Sequence, residues 1–430
     1  VRPGETLQLC VSTLPAERYR IAVYRLGWYD GDGARQLASC PADPTADDLQ
    51  GVARAMPALA PGPQVVSAGW PVTDVVPIGA DWVSGLYIAR LLLTTGEHAG
   101  GDALVPFVVR PPLGVSAAIL VQQPVTTVQA YNNWGGKSLY ASNSSDSQAA
   151  IKVSFDRPLP AWSEIVVNAR WPFAWDYLLV RFLEREGMDV AYTTDVDTHR
   201  EPGSLLGYRL LMTSGHDEYW TREMRDAFDD ALARGVNLAC MGANTAYWQM
   251  RFEDGERTIV EYRWRAQDPE PDRALKTELF RNLLPRRPEC ALWGVQYQDG
   301  LGRPAEPRDY ELVRDCLAHP WMAGTGFAYP ARLKGLVGYE WDAIQAGLEP
   351  PDATVFFHYD NALSNADALA YRAPSGSLVF AAGSLQFSWG LDDWGRRGYA
   401  DARLARFMRN ALRDLTADAS SPTAGSAASA

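Results

Sequence analysis

The chain has 430 residues, 47% of them apolar and 21% charged, with a formal net charge of −12. That length exceeds what one ordinary hydrophobic core serves and that apolar content excludes a disordered chain, so two domains are expected. An acidic balance with no long basic stretch offers no phosphate-tracking surface, which removes nucleic acid from the expected partners. No apolar run reaches the roughly eighteen residues of a membrane span, so no membrane partner is expected either. The start, Val1-Arg2-Pro3-Gly4, has neither an initiating Met nor a signal core and reads as processed or trimmed. Localisation is open, with a soluble cytoplasmic protein expected ahead of a secreted one. Five cysteines without CxxC spacing, Cys10, Cys40, Cys240, Cys290 and Cys316, argue against a disulfide framework or a zinc–thiolate site.

Residues 1–111 read as strands. Leu7, Leu9 and Val11 alternate with polar neighbours, as do Ile21 and Val23, which predicts a small antiparallel, immunoglobulin-like β-sandwich. Asp30-Gly31-Asp32-Gly33 lacks the later acidic ligands of an EF-hand and reads as a hairpin turn. Strands are expected at Trp82–Tyr87 and Leu104–Val109, and Pro111-Pro112 then breaks the chain as a domain joint does.

Residues 112–416 change pattern, to short apolar runs alternating with amphipathic helices, the mark of a mainly parallel α/β domain. Val115 to Val121 is the expected first strand. Trp175, Leu178, Leu179 and Phe182 follow the i, i+3, i+4, i+7 spacing of a helix that Gly187 ends. Strands are predicted over Val190–Thr193, Leu210–Thr213 and Val236–Met241. Thr221 caps a helix with the apolar face Met224, Ala227, Phe228, Ala231 and Leu232, ended by Gly235. Between 290 and 390 strands such as Val355–His358 and Leu378–Ala382 alternate with long loops, and their order is not legible. A last helix carries Leu404, Phe407, Met408, Leu412 and Leu415, and the Ser/Ala-rich residues 417–430 predict a disordered tail.

Loops leaving the carboxyl ends of parallel strands converge on one edge, where such folds place ligands. Three polar clusters fall there: Tyr131 to Tyr140 after the first strand, His216-Asp217-Glu218 after the strand ending near Thr213, and Asn244 after Met241. A His-x-Glu at a helix start also serves as a favourable partner of the helix dipole, and tyrosines near glycines also serve simply as loop packing. Cys240, inside a strand, reads as a buried apolar residue. Asp195-Val196-Asp197-Thr198-His199 is a candidate second metal site, set against an ordinary polar loop.

The string around Tyr131, with Ser214-Gly215-His216-Asp217-Glu218-Tyr219-Trp220 and Gly242-Ala243-Asn244-Thr245-Ala246-Tyr247-Trp248, resembles the large (beta) subunits of N,N-dimethylformamidase and their relatives. The similar order covers about residues 112–390, and Tyr24 to Gly33 resembles the preceding β-domain of the same group. The resemblance implies a mononuclear ferric iron held by two tyrosines and a glutamate, matched by Tyr131, Tyr140 and Glu218, with His216 and Asn244 lining the site and Glu340 as a further site glutamate. It implies hydrolysis of a small amide substrate, a homo-oligomer and a small second subunit. Asp217 departs from the pattern, where the family has Pro, and the stretch from Tyr140 to Asp156 is shorter and differently composed. The chemistry is coherent: phenolate and carboxylate are hard anionic ligands suited to a ferric ion, His216 or Glu340 can move a proton, and Asn244 is expected to donate to the oxyanion.

The α/β region also resembles flavodoxin-like and class I amidotransferase-like folds, but no cysteine sits at the strand-to-helix turn a nucleophile needs. Fifteen Trp and nineteen Tyr leave room for a non-catalytic ligand- or carbohydrate-binding protein, although most are expected in the core. A relative that keeps the fold without the metal is the remaining alternative.

Overall fold

A computed structural model describes residues 1–57, 65–159, 171–298, 307–395 and 398–417. The predicted tail lies outside the described residues from 418 onward. Six strands open the chain: β1 (Thr6–Leu9), β2 (Arg18–Leu26), β3 (Ala34–Cys40), β4 (Asp74–Pro77), β5 (Gly85–Leu93) and β6 (Asp102–Val109). They pair only with one another or with the short strand Leu49–Gln50: β3-β2-β5-β6 form an antiparallel sheet and β1 pairs with β4. The period of two sorts β5 between two cores. Tyr87, Ala89 and Leu91 meet Ile21 and Val23 beneath Leu7, Leu9 and Val76 of the β1–β4 pair. Leu86 and Ile88 point the other way, into a core shared with the helix that follows. Asp30-Gly31-Asp32-Gly33 is the turn between β2 and β3, with Asp30, Gly31 and Gly33 at positive φ.

The second part is built on nine strands, β7 (Ile119–Gln123), β8 (Val190–Thr194), β9 (Leu210–Gly215), β10 (Asn237–Gly242), β11 (Arg308–Leu312), β12 (Arg332–Val337), β13 (Thr354–Asp360), β14 (Asn365–Arg372) and β15 (Leu378–Ala381), ordered β8-β7-β9-β10-β15-β14-β13-β11-β12. The four pairings from β8 to β15 are parallel. The four from β15 to β12 are antiparallel. The chain is therefore mixed α/β, and the expectation of a mainly parallel sheet holds for one half only. The loops 361–364 and 373–377 are too short for the crossover that a parallel connection needs, so they close hairpins.

Helices α1 (Val125–Tyr131), α2 (Asp176–Arg185), α3 (Asp195–Arg200), α4 (Arg222–Ala233) and α5 (Ala402–Leu415) belong to this part. Of these α2, α4 and α5 match the predicted helices. Gly187 at φ +66 ends α2, with the Met188 N–H on the Leu183 carbonyl, and the Thr221 hydroxyl accepts the Met224 N–H at the start of α4. Along β10, Leu238 and Cys240 face α4, whereas Ala239 and Met241 face the core of α2 and α5, so the sheet is covered on both sides. Two corrections concern the first strand. It begins at Ile119 because residues 112–115 close a turn that leaves Val115 exposed, and α1 follows at once, so Tyr131 ends a helix rather than lying in a loop. Asp195 to His199 is likewise helical. All five cysteines are free. Among the described residues no helix is long and apolar enough to cross a membrane.

The chain leaves β7 for the edge strand β8 and returns to β9 on the other side, which makes the carboxyl ends of β7 and β9 a topological switch point. There β9 and β10 leave the sheet in close contact, and a Cβ on Gly242 would lie 1.9 Å from the Gly215 carbonyl oxygen. Gly242→Ala is therefore expected to lower stability by about 1–3 kcal/mol or more through overpacking against rigid backbone, as read from urea unfolding followed by circular dichroism. A loss within error of zero would show that the two strands part freely.

Candidate active site

Each site residue is delivered by a different connection at the carboxyl edge. Strand β7 runs into α1, whose first turn holds Thr127. Its hydroxyl oxygen accepts the backbone N–H of Glu218 at 2.8 Å and of Tyr219 at 3.2 Å, tying the loop after β9 to α1. Tyr131 is the last residue of α1. The chain then folds back, with the Leu139 N–H on the Ala130 carbonyl, and lays Tyr140 against Tyr131 with stacked rings 4.2 Å apart. Buried Arg157 fastens that loop, donating to the carbonyls of Gln129, Lys137 and Ser154 at 3.1, 2.8 and 2.9 Å. Gly215 turns the chain off β9 at φ +55 with Asp176 so close that a Cβ would meet its carboxylate at 2.8 Å. His216, Asp217 and Glu218 follow. Asn244, after β10, takes the left-handed conformation at φ +52, and Asp342 Oδ1 accepts its N–H at 2.8 Å. After four reversals β12 points the same way as the parallel strands, so its carboxyl end lies at the same edge and the chain crosses back there, bringing in Glu340, whose carbonyl accepts the Leu385 N–H.

The six predicted site residues meet in one buried cluster. Tyr131 Oη donates to Glu218 Oε2 at 2.8 Å, and Tyr140 Oη lies 2.9 and 3.0 Å from the two oxygens of the same carboxylate. His216 Nε2 stands 2.9 Å from Glu340 Oε2 and 3.4 Å from Glu218 Oε2. Asn244 Nδ2 is 2.9 Å from Glu340 Oε2 and 3.1 Å from His216 Nε2. The amide nitrogen expected to serve an oxyanion thus lies against Glu340 and His216. A small cavity beside His216, walled by Thr127, Val128, Trp171, Trp175 and Asp176, has room for about one water molecule.

Negative charge dominates this interior. Burial, reinforced by the Glu218 charge, holds the phenols of Tyr131 and Tyr140 well above their ordinary pKa. Burial also raises Glu218, against the pull of His216. For His216, burial acts downward, but Glu340 and Glu218 outweigh it and leave the imidazole above its usual value. Behind this layer burial pushes Asp176 up to about 6 and both Asp217 and Asp342 up to about 7. A cation placed among these groups would relieve all of them. The donors fit one: oxygens 2.8–3.0 Å apart have the spacing of adjacent ligands around an ion with metal–oxygen bonds of roughly 2.0–2.1 Å. Among the described residues no group of three His, Cys, Asp or Glu has metal-binding geometry, so a metal here has to draw on the phenols.

The alternative metal site at Asp195 to His199 does not assemble. Asp195 accepts from Thr126, Asp197 pairs with Arg110 at 2.9 Å, and His199 Nδ1 meets the Thr221 hydroxyl at 2.8 Å. Sequence reasoning missed Thr127, Asp176, Tyr219 and Arg263. Tyr219 follows Glu218 directly, and its Oη donates to Tyr140 Oη at 2.7 Å, while Arg263 donates to Tyr219 Oη at 2.9 Å from a loop with no local signal.

Fold and site together define a mixed α/β protein with a buried phenol–carboxylate centre at the carboxyl edge of its sheet. The chain belongs to the N,N-dimethylformamidase beta subunit-like family, whose C-terminal model matches residues 20–401. A stretch of 114 residues is 27% identical to the N,N-dimethylformamidase beta subunit of Paracoccus aminophilus, and an equal stretch is 26% identical to that of Alcaligenes sp. In both cases the match covers 24% of this chain and 15% of the relative. Among solved structures, the mmIFT52 N-terminal domain aligns with 55% of this chain and 88% of its own at 11% identity and a TM-score of 0.31, too slight a likeness to bear on fold or function.

Thr127→Val keeps the shape of the side chain and removes the oxygen that serves two buried N–H groups, so it is expected to cost about 1–3 kcal/mol for each donor left unpaired. Thr127→Ser, which keeps the oxygen, should lose clearly less. Chemical unfolding of the two variants side by side makes the comparison, and equal losses would show that packing, not the hydrogen bonds, sets the cost.

Proposed function

We propose that this chain is a hydrolase of a small amide carbon–nitrogen bond that holds one ferric ion between Tyr131, Tyr140 and Glu218. The observation that carries this reading is Glu218, a buried carboxylate that accepts hydrogen bonds from both phenols in an interior short of positive charge. The relatives named as N,N-dimethylformamidase beta subunits support an amide as the substrate, and the word subunit supports a small second subunit and self-association. In this reading residues 1–111 form the sandwich domain and 112–416 the α/β domain of the site. When bound, the ion supplies Lewis acidity toward the amide carbonyl.

The protein's own groups do the rest. The cavity beside His216 has room for the single water that hydrolysis consumes. A cation at Glu218 would offset the pull of Glu340 and Glu218 on His216, so the imidazole is free to remove a proton from the water as its oxygen attacks the carbonyl carbon. Glu340, 2.9 Å away, balances the charge that the imidazole then carries, and the imidazolium returns the proton to the departing nitrogen. Asn244 keeps Glu340 and His216 aligned through its amide nitrogen. Buried tryptophans on the cavity wall exclude bulk water from the exchange.

Purification without chelators, followed by elemental analysis and a visible absorption spectrum, tests the metal. Near-stoichiometric iron and a phenolate-to-iron charge-transfer band are expected, with the iron lost in Glu218→Ala and the band changed in Tyr131→Phe. Protein that stays colourless and metal-free after anaerobic iron reconstitution overturns the reading. His216→Ala should keep its iron and lose about 10²–10⁴-fold in the hydrolysis of formamides and other small amides; full activity in that variant removes the imidazole from the reaction.

A further inference from the structure

The two candidate tyrosine ligands have unlike surroundings. Around Tyr131 stand Glu218, the Tyr140 ring and the His216 ring. Tyr140 has in addition a cation and a hydrogen-bond donor. The Arg263 guanidinium lies over the Tyr140 ring at 4.4 Å and over the Trp248 ring at 4.8 Å. It donates to the Leu139 carbonyl at 2.7 Å, one residue before Tyr140, and to Tyr219 Oη at 2.9 Å. The Arg263 charge acts on Tyr219 and Tyr140 first, and then on Glu261 and Glu218. Its backbone is held at φ +65, with Glu261 Oε1 accepting its N–H at 2.7 Å.

The order of donation along this chain is fixed by chemistry. A guanidinium has no acceptor, so Tyr219 Oη must accept from Arg263, and the Tyr219 hydroxyl hydrogen is turned toward Tyr140 Oη, 2.7 Å away. Tyr140 in turn faces Glu218. A phenolate that accepts such a hydrogen bond beneath a half-buried cation has its electron density drawn away from its other neighbours.

We infer that Arg263, acting through Tyr219, is a positioning residue that polarises Tyr140 alone and so makes the two tyrosines unequal donors to a cation held at Glu218. This rests on the iron reading above and adds to it a division of labour: Tyr131 is the strong donor, and Tyr140 the restrained one that leaves the ion more acidic toward a carbonyl. Losing the polarising chain strengthens donation from Tyr140, and a stronger phenolate donor moves its charge-transfer band to longer wavelength.

The test loads wild type, Tyr219→Phe, Arg263→Met and Arg263→Lys with iron and compares iron content, circular dichroism and the visible band. The expected result is unchanged iron content with a band at longer wavelength in Tyr219→Phe and Arg263→Met, and a smaller shift in Arg263→Lys, which keeps the charge without the fork of donors. A band at the wild-type position, or at shorter wavelength, in folded and iron-loaded Tyr219→Phe and Arg263→Met overturns the inference. So does loss of iron from both folded variants, which would make the pair scaffolding for the ligands. If Tyr219→Phe fails to fold, the two Arg263 variants decide by the same criteria. Wild type that takes up no iron is a different failure, because it overturns the metal reading itself.

Discussion

Glu218 is almost fully buried, with phenols at both carboxylate oxygens and a histidine near one of them. Taking a carboxylate out of water costs several kcal/mol unless partners replace its hydration. Here the partners are themselves acids or shared: the phenols can give hydrogen bonds but no charge, and His216 is divided between Glu218 and Glu340. Arg263 compensates from one side only, over Tyr140. The nearby Asp176, Asp217 and Asp342 are equally buried, and each resists ionisation chiefly because of that burial. An interior of this kind favours a cation, and its phenol and carboxylate oxygens are hard donors by their chemistry.

The backbone sets this arrangement before any side chain contributes. Two strands can release loops toward a common point only if they leave the sheet side by side, and Gly215 and Gly242 make that close exit possible. Thr127 and Asp342 then hold the two loops by their backbone N–H groups, at Glu218 and Asn244 respectively. Both anchors are side chains of other segments, so the loops are fixed by tertiary contact rather than by their own turns. The antiparallel half of the sheet contributes through direction. Because its strands alternate, β12 ends where the parallel strands end, and the segment beyond it can reach His216.

Much of the carboxyl edge was legible because its signals are local. The i, i+3, i+4, i+7 spacing and Gly187 place α2, Thr221 places α4, and the strings around His216 and Asn244 fall where neighbouring parallel strands end. The same argument puts Glu218 and the segment from Tyr131 to Tyr140 at that edge, whereas their choice as ligands, and Glu340 altogether, needed the family resemblance. What escaped is what depends on partners distant in sequence. The helix α1 is short and rich in β-branched residues, so propensity argues against it, yet packing imposes it. The antiparallel strands read as apolar runs without direction, and the short loops that make hairpins of them show only in the structure. Arg263 and Thr127 carry no motif; they matter through what they touch.

The N-terminal strands bear on the site through α2. Arg25, on β2, holds Glu184 with two hydrogen bonds of 2.6 and 2.9 Å, and Tyr177 Oη donates to the Gly33 carbonyl at 2.6 Å. Arg181 stacks on Trp28 and pairs with Asp392 at 2.9 Å, so the same helix is gripped from both sides. Its first turn carries Trp175 and Asp176, the wall of the cavity beside His216. A helix held at its carboxyl half by largely buried ion pairs has little freedom to swing at its amino end, because the backbone hydrogen bonds transmit the constraint along the rod. The β-sheet that opens the chain thus bears on the room beside the imidazole from outside the cluster, through its grip on α2.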